Sequence, residues 1–218
     1  MRAVLYDFGG VFTVSPFTFV REGGAQLGLD REVVMELCFG PYHEDTDHPW
    51  HRLERGEATF ADTRAALVSL AREAGHEVDP LAVLMETAAR SEDPQREAVI
   101  ERALAIRRRR PDVRTGLVTN NIAEFGSTWR TMAPVDELFE VIVDSCVAGV
   151  RKPNPAIFEL ALDALEVTAE STVFLDDHPA NVAAAERLGM RGIVVGADRL
   201  AAFDELDALR SSSSPDMP

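Results

Sequence analysis

Short apolar segments that end in polar residues recur along this chain. Residues 3–6, Ala-Val-Leu-Tyr, end at Asp7 and are followed by Gly9-Gly10, which is typical of a buried strand that stops at a loop. Four later segments repeat the pattern: residues 114–118 before Thr119, 140–143 before Asp144, 172–175 before Asp176, and 191–195 before Gly196. The sequence therefore predicts five strands.

Helical patterns alternate with these strands in the second half of the chain, over residues 122–131, 154–165 and 179–188. The last of these has clear limits, because Pro179 follows the polar pair Asp177-His178 and Gly189 comes directly after the pattern. Alternating strands and helices predict an α/β fold with a Rossmann-like, doubly wound parallel sheet.

Residues 14–108 differ, with helical periodicity over 31–38, 60–74, 81–89 and 95–110 and no convincing strand. We predict that residues 14–95 form a helical cap inserted into the fold, so that residues 1–13 and 96–210 form the core. The serine-rich segment 211–218 is predicted to be a disordered tail.

Composition narrows the class of protein. The chain has 218 residues, 46% of them hydrophobic and 27% charged, as in folded globular domains. The two cysteines, Cys38 and Cys146, are too few for a disulfide framework and do not have the spacing of a metal site. We therefore expect the protein to be located in the reducing cytoplasm. We find no signal peptide, and no apolar run approaches the roughly 20 residues of a membrane span.

The net charge of −15 disfavours nucleic acid and anionic membranes as partners. Nothing in the sequence indicates the oligomeric state.

Polar residues follow three of the predicted strands: Asp7, then Thr119-Asn120, then Asp176-Asp177. Ligands bind at the carboxyl ends of strands in open parallel sheets, so these residues are expected to meet in one crevice. Lys152 is expected to join them from a loop outside the core. Each residue could instead cap a turn or helix, but together they supply a nucleophile, oxyanion donors, a cation and carboxylates for a hard metal.

At these residues the chain resembles a known family, the haloacid dehalogenase-like hydrolases. Residues 5–12, around Asp7, are similar to its first motif, and residues 117–120 to its second. Lys152-Pro153-Asn154-Pro155 resembles the third motif, and residues 174–181, around Asp176-Asp177, the fourth. The four occur in family order. Asp7-Phe8-Gly9-Gly10-Val11 most resembles the branch that contains the N-terminal phosphatase-like domain of soluble epoxide hydrolases.

The resemblance implies a Mg²⁺-dependent phosphatase for a small phosphorylated metabolite. Asp7 would attack phosphorus to give an aspartyl-phosphate, with Thr119 and Lys152 as further catalytic residues. Two groups of ligands are implied. The substrate would contact Phe8, Gly9, Thr119, Asn120 and Lys152, and the metal would contact Asp7, the Gly9 carbonyl, Asp176 and Asp177.

The chain departs from the family pattern at Gly9, where phosphatases usually carry a second Asp as general acid and base. Loss of a general acid and base lowers the rate of a catalysed reaction by about 10²–10⁴-fold. Two alternatives therefore stay open: a weak or inactive member that binds a phosphorylated ligand or a protein partner, and a 2-haloacid dehalogenase. A phosphonatase is disfavoured, because residues 12–108 contain no lysine for a Schiff base. His43, His48 and His51 could supply a proton, although solvated or structural roles are favoured for them. Asn181 is expected to support the site rather than contact the substrate.

Overall fold

The computed structural model describes residues 1–211, which contain one five-stranded parallel sheet. Its strands are β1 (Ala3–Tyr6), β2 (Arg114–Thr119), β3 (Val141–Asp144), β4 (Thr172–Asp176) and β5 (Arg191–Val194), in the spatial order β3-β2-β1-β4-β5. Tyr6 pairs with Leu117 of β2 and with Leu175 of β4. The carboxyl ends of β1, β2 and β4 therefore lie side by side, and the predicted α/β fold with a doubly wound parallel sheet is confirmed.

Helices cover both faces of the sheet. The α-helices in the described residues are α1 (Pro16–Gln26), α2 (Arg31–Phe39), α3 (Pro49–Glu54), α4 (Phe60–Glu73), α5 (Pro80–Arg90), α6 (Arg96–Arg109), α7 (Val135–Leu138), α8 (Ser145–Ala148), α9 (Pro155–Leu165), α10 (Pro179–Arg187) and α11 (Arg199–Ser211). One hydrophobic cluster includes Ile106 of α6 and Phe203 of α11. Another includes Phe158 of α9 and Ala185 of α10. The three central strands, β1, β2 and β4, are buried between these layers, as continuous apolar segments predict.

Helices α1 to α5 pack around a separate hydrophobic cluster that includes Phe39, Trp50 and Leu67. This packing supports the predicted division into a core and a cap of residues 14–95, which stays a prediction. The sequence patterns did not predict α1, whose Gly23-Gly24 pair lowers helix propensity. A Cβ at Gly24 would lie 2.5 Å from Val34 Cγ1, so glycine here permits close packing of α1 on α2.

The predicted helix over residues 122–131 is wrong. The segment forms two short 3-10 helices, Ala123–Phe125 and Thr128–Met132. Gly126 lies between them with a φ of 49°, which interrupts right-handed helical backbone. At the C-terminus, Ser211 ends α11, so the first residue of the predicted tail is helical. The rest of that tail, residues 212–218, lies outside the described residues.

No helix within residues 1–211 is both long enough and apolar enough to cross a membrane.

Candidate active site

A buried lysine joins two carboxylates at the carboxyl ends of β1 and β4. Lys152 Nζ lies 2.7 Å from Asp7 Oδ1, 2.7 Å from Asp176 Oδ2 and 2.8 Å from the Val118 carbonyl oxygen. These three acceptors use all the N–H groups of the ammonium. The expectation that Lys152 lies outside the core is wrong: its side chain is 1% exposed, because it extends from its loop back over the ends of the strands.

Three carboxylates face one another beside this cation. Asp7, Asp176 and Asp177 place oxygen atoms within 4.8 Å of one another. Asp176 Oδ1 accepts the main-chain N–H of His178 at 2.7 Å, and Asn181 Nδ2 lies 3.1 Å from both Asp176 oxygens. Asn181 thus orients Asp176, in line with the supporting role expected of it. Such a set of oxygen atoms suits a hard cation such as Mg²⁺.

The electrostatics of the cluster also fit a bound cation. Burial raises the pKa of Asp7 to about 7; the charge of Asp176 also raises it, whereas Lys152 lowers it. Burial, together with the charges of Asp176 and Asp7, raises the pKa of Asp177 well above its usual range. The cluster therefore holds more negative charge than one lysine balances. A divalent cation would relieve this repulsion and favour the ionised form of Asp7.

Asn120 lies next to the cluster, but its side chain is turned toward the Lys152 main chain. Asn120 Oδ1 accepts the Lys152 N–H at 2.8 Å, and Asn120 Nδ2 donates to the Lys152 carbonyl and to the Tyr42 hydroxyl, each at 3.1 Å. The side chain is therefore engaged with Lys152 and Tyr42. Asn120 also lines the cavity, and its predicted contact with the substrate stays a prediction. Thr119 is buried at the end of β2 and lines the same cavity as Asp7.

The loop after β1 leaves room for a side chain at residue 9 but not at residue 10. A Cβ on Gly9 would lie 3.4 Å from Pro16 Cδ, an ordinary contact, and Gly9 has no positive φ. Gly10 has a φ of 78°, and a Cβ there would lie 2.2 Å from Asp177 Cγ. The Phe8 ring packs 5.0 Å from that of Trp129. Phe8 and Gly9 both line the cavity with Asp7.

The three histidines of the predicted cap have solvated or structural surroundings. His43 is exposed beside Glu44. His48 caps α3, since its Nδ1 accepts the Trp50 N–H. His51 is fully buried, and its Nδ1 accepts the Thr46 N–H at 3.0 Å. None of the three lines the cavity of the described chain, so the structural interpretation fits better than a proton donor at the site.

A cavity of about 370 Å³ lies between the charged cluster and the predicted cap. Asp7, Thr119 and Lys152 line it at the cluster. Most of the remaining wall is apolar and includes Phe17, Phe19, Phe39, Trp50, Leu84, Met85, Ile122, Phe125, Trp129 and Met132. Three of these side chains are partly exposed: Met85 (40%), Phe125 (41%) and Met132 (38%). The cavity thus combines a charged end with an apolar wall and an apolar rim.

Three polar residues near the site were not predicted to belong to it. Tyr42 and Glu54 of the cap line the cavity, and Arg151 is fully buried behind them. Arg151 stands next to Lys152 in the sequence, which is the one signal that could have pointed to it. The cap residues carry no such signal, because their contacts join segments about 80 to 100 residues apart.

Comparisons with known proteins agree with this geometry. A family model described as haloacid dehalogenase-like hydrolase matches residues 1–189. The chain is 28% identical over 209 residues to the sesquiterpene phosphatase astK of Aspergillus oryzae, covering 95% of this chain and 96% of that protein. It is 25% identical over 231 residues to mouse bifunctional epoxide hydrolase 2, covering all of this chain and 40% of that protein.

The chain spans less than half the length of that epoxide hydrolase, and 19% of the length of another relative, mouse Acyl-CoA dehydrogenase family member 10. A solved haloacid dehalogenase family enzyme from Bacteroides thetaiotaomicron, in complex with magnesium and inorganic phosphate, shares the fold. Its TM-score is 0.58 at 20% identity, covering 91% of this chain and 96% of that chain. The predicted resemblance is confirmed, and the chain belongs to the haloacid dehalogenase-like hydrolase family.

Proposed function

We propose that this protein is a Mg²⁺-dependent phosphomonoesterase for small phosphate esters that carry a large apolar group. The observation that carries the proposal is the cavity, in which Asp7 and Lys152 lie at one end and the remaining wall is mostly apolar. Two similarities support it: a relative named as a sesquiterpene phosphatase, and a structural neighbour that binds magnesium and phosphate.

In the proposed reaction an Asp7 oxygen attacks phosphorus, the bond to the ester oxygen breaks, and that oxygen leaves as an alkoxide or aryloxide that takes a proton from water. Water then attacks the aspartyl-phosphate and releases phosphate and free Asp7. Lys152, Thr119 and main-chain N–H groups near Phe8, Gly9 and Asn120 would stabilise the charge on the transferring oxygens. Mg²⁺ would neutralise part of that charge. Its ligands would be Asp7, the Gly9 carbonyl, Asp176 and Asp177.

Because Gly9 offers no acid or base, we expect turnover to favour esters whose leaving oxygen needs little protonation, such as aryl or acyl phosphates. Replacing Gly9 with Asp should then raise kcat/KM on alkyl phosphates selectively, by up to about 10²-fold. The backbone at residue 9 can accept a Cβ, since that atom would make only an ordinary contact with Pro16. The measurement is kcat/KM for a matched aryl and alkyl pair in both proteins.

Gly10→Ala is the steric control, because its Cβ would displace Asp177 and activity should fall on both esters. Equal wild-type rates on both esters, with no selective gain in Gly9→Asp, would mean that the proton comes from another group.

The apolar wall makes a separate prediction about the substrate. Each methylene that leaves water contributes about 0.8 kcal/mol, so kcat/KM should rise along a series of aryl phosphates with longer alkyl tails until the cavity is filled. Met85→Glu, at the partly exposed rim, should reduce this gain and leave phenyl phosphate unaffected. Leu27→Glu is the matched control, because Leu27 is 59% exposed and outside the cavity. A flat series in the wild type would contradict the proposed substrate class.

The lack of a carboxylate at Gly9 also favours a second candidate function. In that case the site binds a phosphorylated ligand or a protein partner and does not turn it over. A phosphate-release screen with and without Mg²⁺ separates the two, because a binding-only protein would retain phosphate affinity and release nothing. The 2-haloacid dehalogenase alternative has less support, since a cluster of three carboxylates suits a metal-dependent reaction better.

A further inference from the structure

A buried ion pair links the cap to the loop that carries Lys152. Arg151 is fully buried, and its Nε donates to Glu54 Oε2 at 2.7 Å while its Nη1 donates to the Glu44 carbonyl at 2.9 Å. The guanidinium also lies 4.5 Å from the centre of the Tyr42 ring. Burying such a pair commonly adds little net stability, because desolvation offsets the attraction. The Arg151–Glu54 pair therefore matters more for the geometry of the site than for the stability of the fold.

Tyr42 connects this ion pair to the active-site loop. Its hydroxyl donates to Glu54 Oε1 at 2.9 Å and accepts from Asn120 Nδ2 at 3.1 Å. Asn120 in turn holds both the N–H and the carbonyl of Lys152. The hydrogen bonds thus form a closed ring. They connect the Lys152 main chain to Asn120, Asn120 to Tyr42, and Tyr42 to Glu54. The ring closes because Glu54 binds Arg151, the residue that precedes Lys152.

We propose that Tyr42 is a positioning residue whose hydroxyl orients Asn120 and, through Asn120, fixes the main chain from which the Lys152 side chain reaches Asp7. Tyr42 and Glu54 belong to the predicted cap, so the ring is complete only when that segment is seated on the sheet. Cap seating and placement of the cation are therefore coupled. The catalytic consequence rests on the proposed function, whereas the coupling itself does not.

The geometry explains why one hydroxyl matters here. Lys152 Nζ lies 2.7 Å from each of two carboxylates, and displacement of its main chain would lengthen both contacts. A misplacement of about 1 Å can cost a reaction as much as 10²-fold. Removing the Tyr42 hydroxyl leaves one N–H of Asn120 and one oxygen of Glu54 without this partner, which frees Asn120 to turn away from Lys152.

A single resonance can report on this coupling, because Lys152 is the only lysine in the sequence. Protein labelled with ¹⁵N-lysine therefore gives one main-chain lysine signal, from the N–H that Asn120 accepts. We expect Tyr42→Phe to accelerate hydrogen exchange of this N–H about tenfold, the equivalent of one hydrogen bond. Thr87→Val, which removes a buried cap hydroxyl outside the ring, should leave the rate unchanged.

Should Tyr42→Phe not fold, Glu54→Gln provides the second test, since a glutamine has one side-chain oxygen and cannot accept from both Arg151 and the Tyr42 hydroxyl, as Glu54 does. Faster exchange at Lys152 in the variant that folds supports the proposal, and exchange at the wild-type rate overturns it. This outcome is separate from the proposed function, which fails if the wild type releases no phosphate.

Binding of inorganic phosphate, with Mg²⁺ present, tests whether the effect passes through Asn120. Tyr42→Phe should weaken phosphate binding about five- to tenfold. The double variant with Asn120→Ala should bind no more weakly than Asn120→Ala alone, because residues that act in series are not additive. A merely structural role for Tyr42 predicts additive losses, and additivity would overturn the proposal.

Discussion

Replacing Asp7 with Asn is expected to abolish phosphate release, by about 10⁴-fold or more, while the protein stays folded. The amide keeps the shape of the side chain but is a far weaker nucleophile and metal ligand. It also removes one of the carboxylates that repel one another around Lys152, so the fold should not lose stability at neutral pH. Initial rates on an aryl phosphate and thermal unfolding of both proteins provide the measurement.

Asp136→Asn is a suitable control, because that carboxylate is 93% exposed and does not line the cavity. The control should retain full activity. Wild-type activity in Asp7→Asn would exclude Asp7 as the nucleophile and with it the aspartyl-phosphate route.

Replacing Lys152 with Met should both weaken phosphate binding and destabilise the protein. Methionine preserves much of the apolar stem but leaves Asp7 and Asp176 buried without their cation. Losing one partner of a buried charged pair costs about 3–5 kcal/mol. Phosphate affinity should fall by about 10²-fold, since hydrogen bonds to charged groups contribute about 1.5–3 kcal/mol each.

The stability loss in this variant should depend on pH. The pKa of Asp7 is raised from 3.8 to about 7 even with Lys152 present, and without Lys152 it should rise further. A carboxyl with a raised pKa in the folded state binds its proton more tightly there, so stability is lost as the pH rises above about 4. Thermal unfolding of Lys152→Met should therefore show a larger deficit at pH 8 than at pH 5.

Mg²⁺ should restore part of the deficit at pH 8. Arg72→Met, which removes an exposed cation, should change neither stability nor phosphate affinity. A Lys152→Met protein with wild-type stability and phosphate affinity would place Lys152 outside the site.

The sequence predicted the sheet well because buried parallel strands are apolar throughout and end abruptly at polar residues. All five strands begin and end within about one residue of the predicted bounds. The same pattern located Asp7, Thr119 and Asp176, since their positions follow from the ends of adjacent strands. Helix periodicity failed over residues 122–131, where Gly126 adopts a positive φ that its neighbours do not reveal.

The contacts between the cap and the core could not be predicted in the same way. The sequence does not indicate that Arg151 is buried, and only the fold shows its contact with Glu54. Asn120 lines the cavity, but the sequence did not indicate that its side chain also accepts a hydrogen bond from the Lys152 main chain. Both depend on long-range packing of irregular segments, for which periodicity carries no information.

The central claim is that the Asp7 cluster hydrolyses phosphate esters with the help of a divalent metal. The most direct test is phosphate release from an aryl phosphate by the wild-type protein, first in Mg²⁺, then in excess EDTA, then with Mg²⁺ restored. We predict release in Mg²⁺, its loss in EDTA and its recovery on addition of the metal. Turnover that continues undiminished in EDTA would contradict this mechanism, because the phosphate ester would then be hydrolysed without a divalent metal.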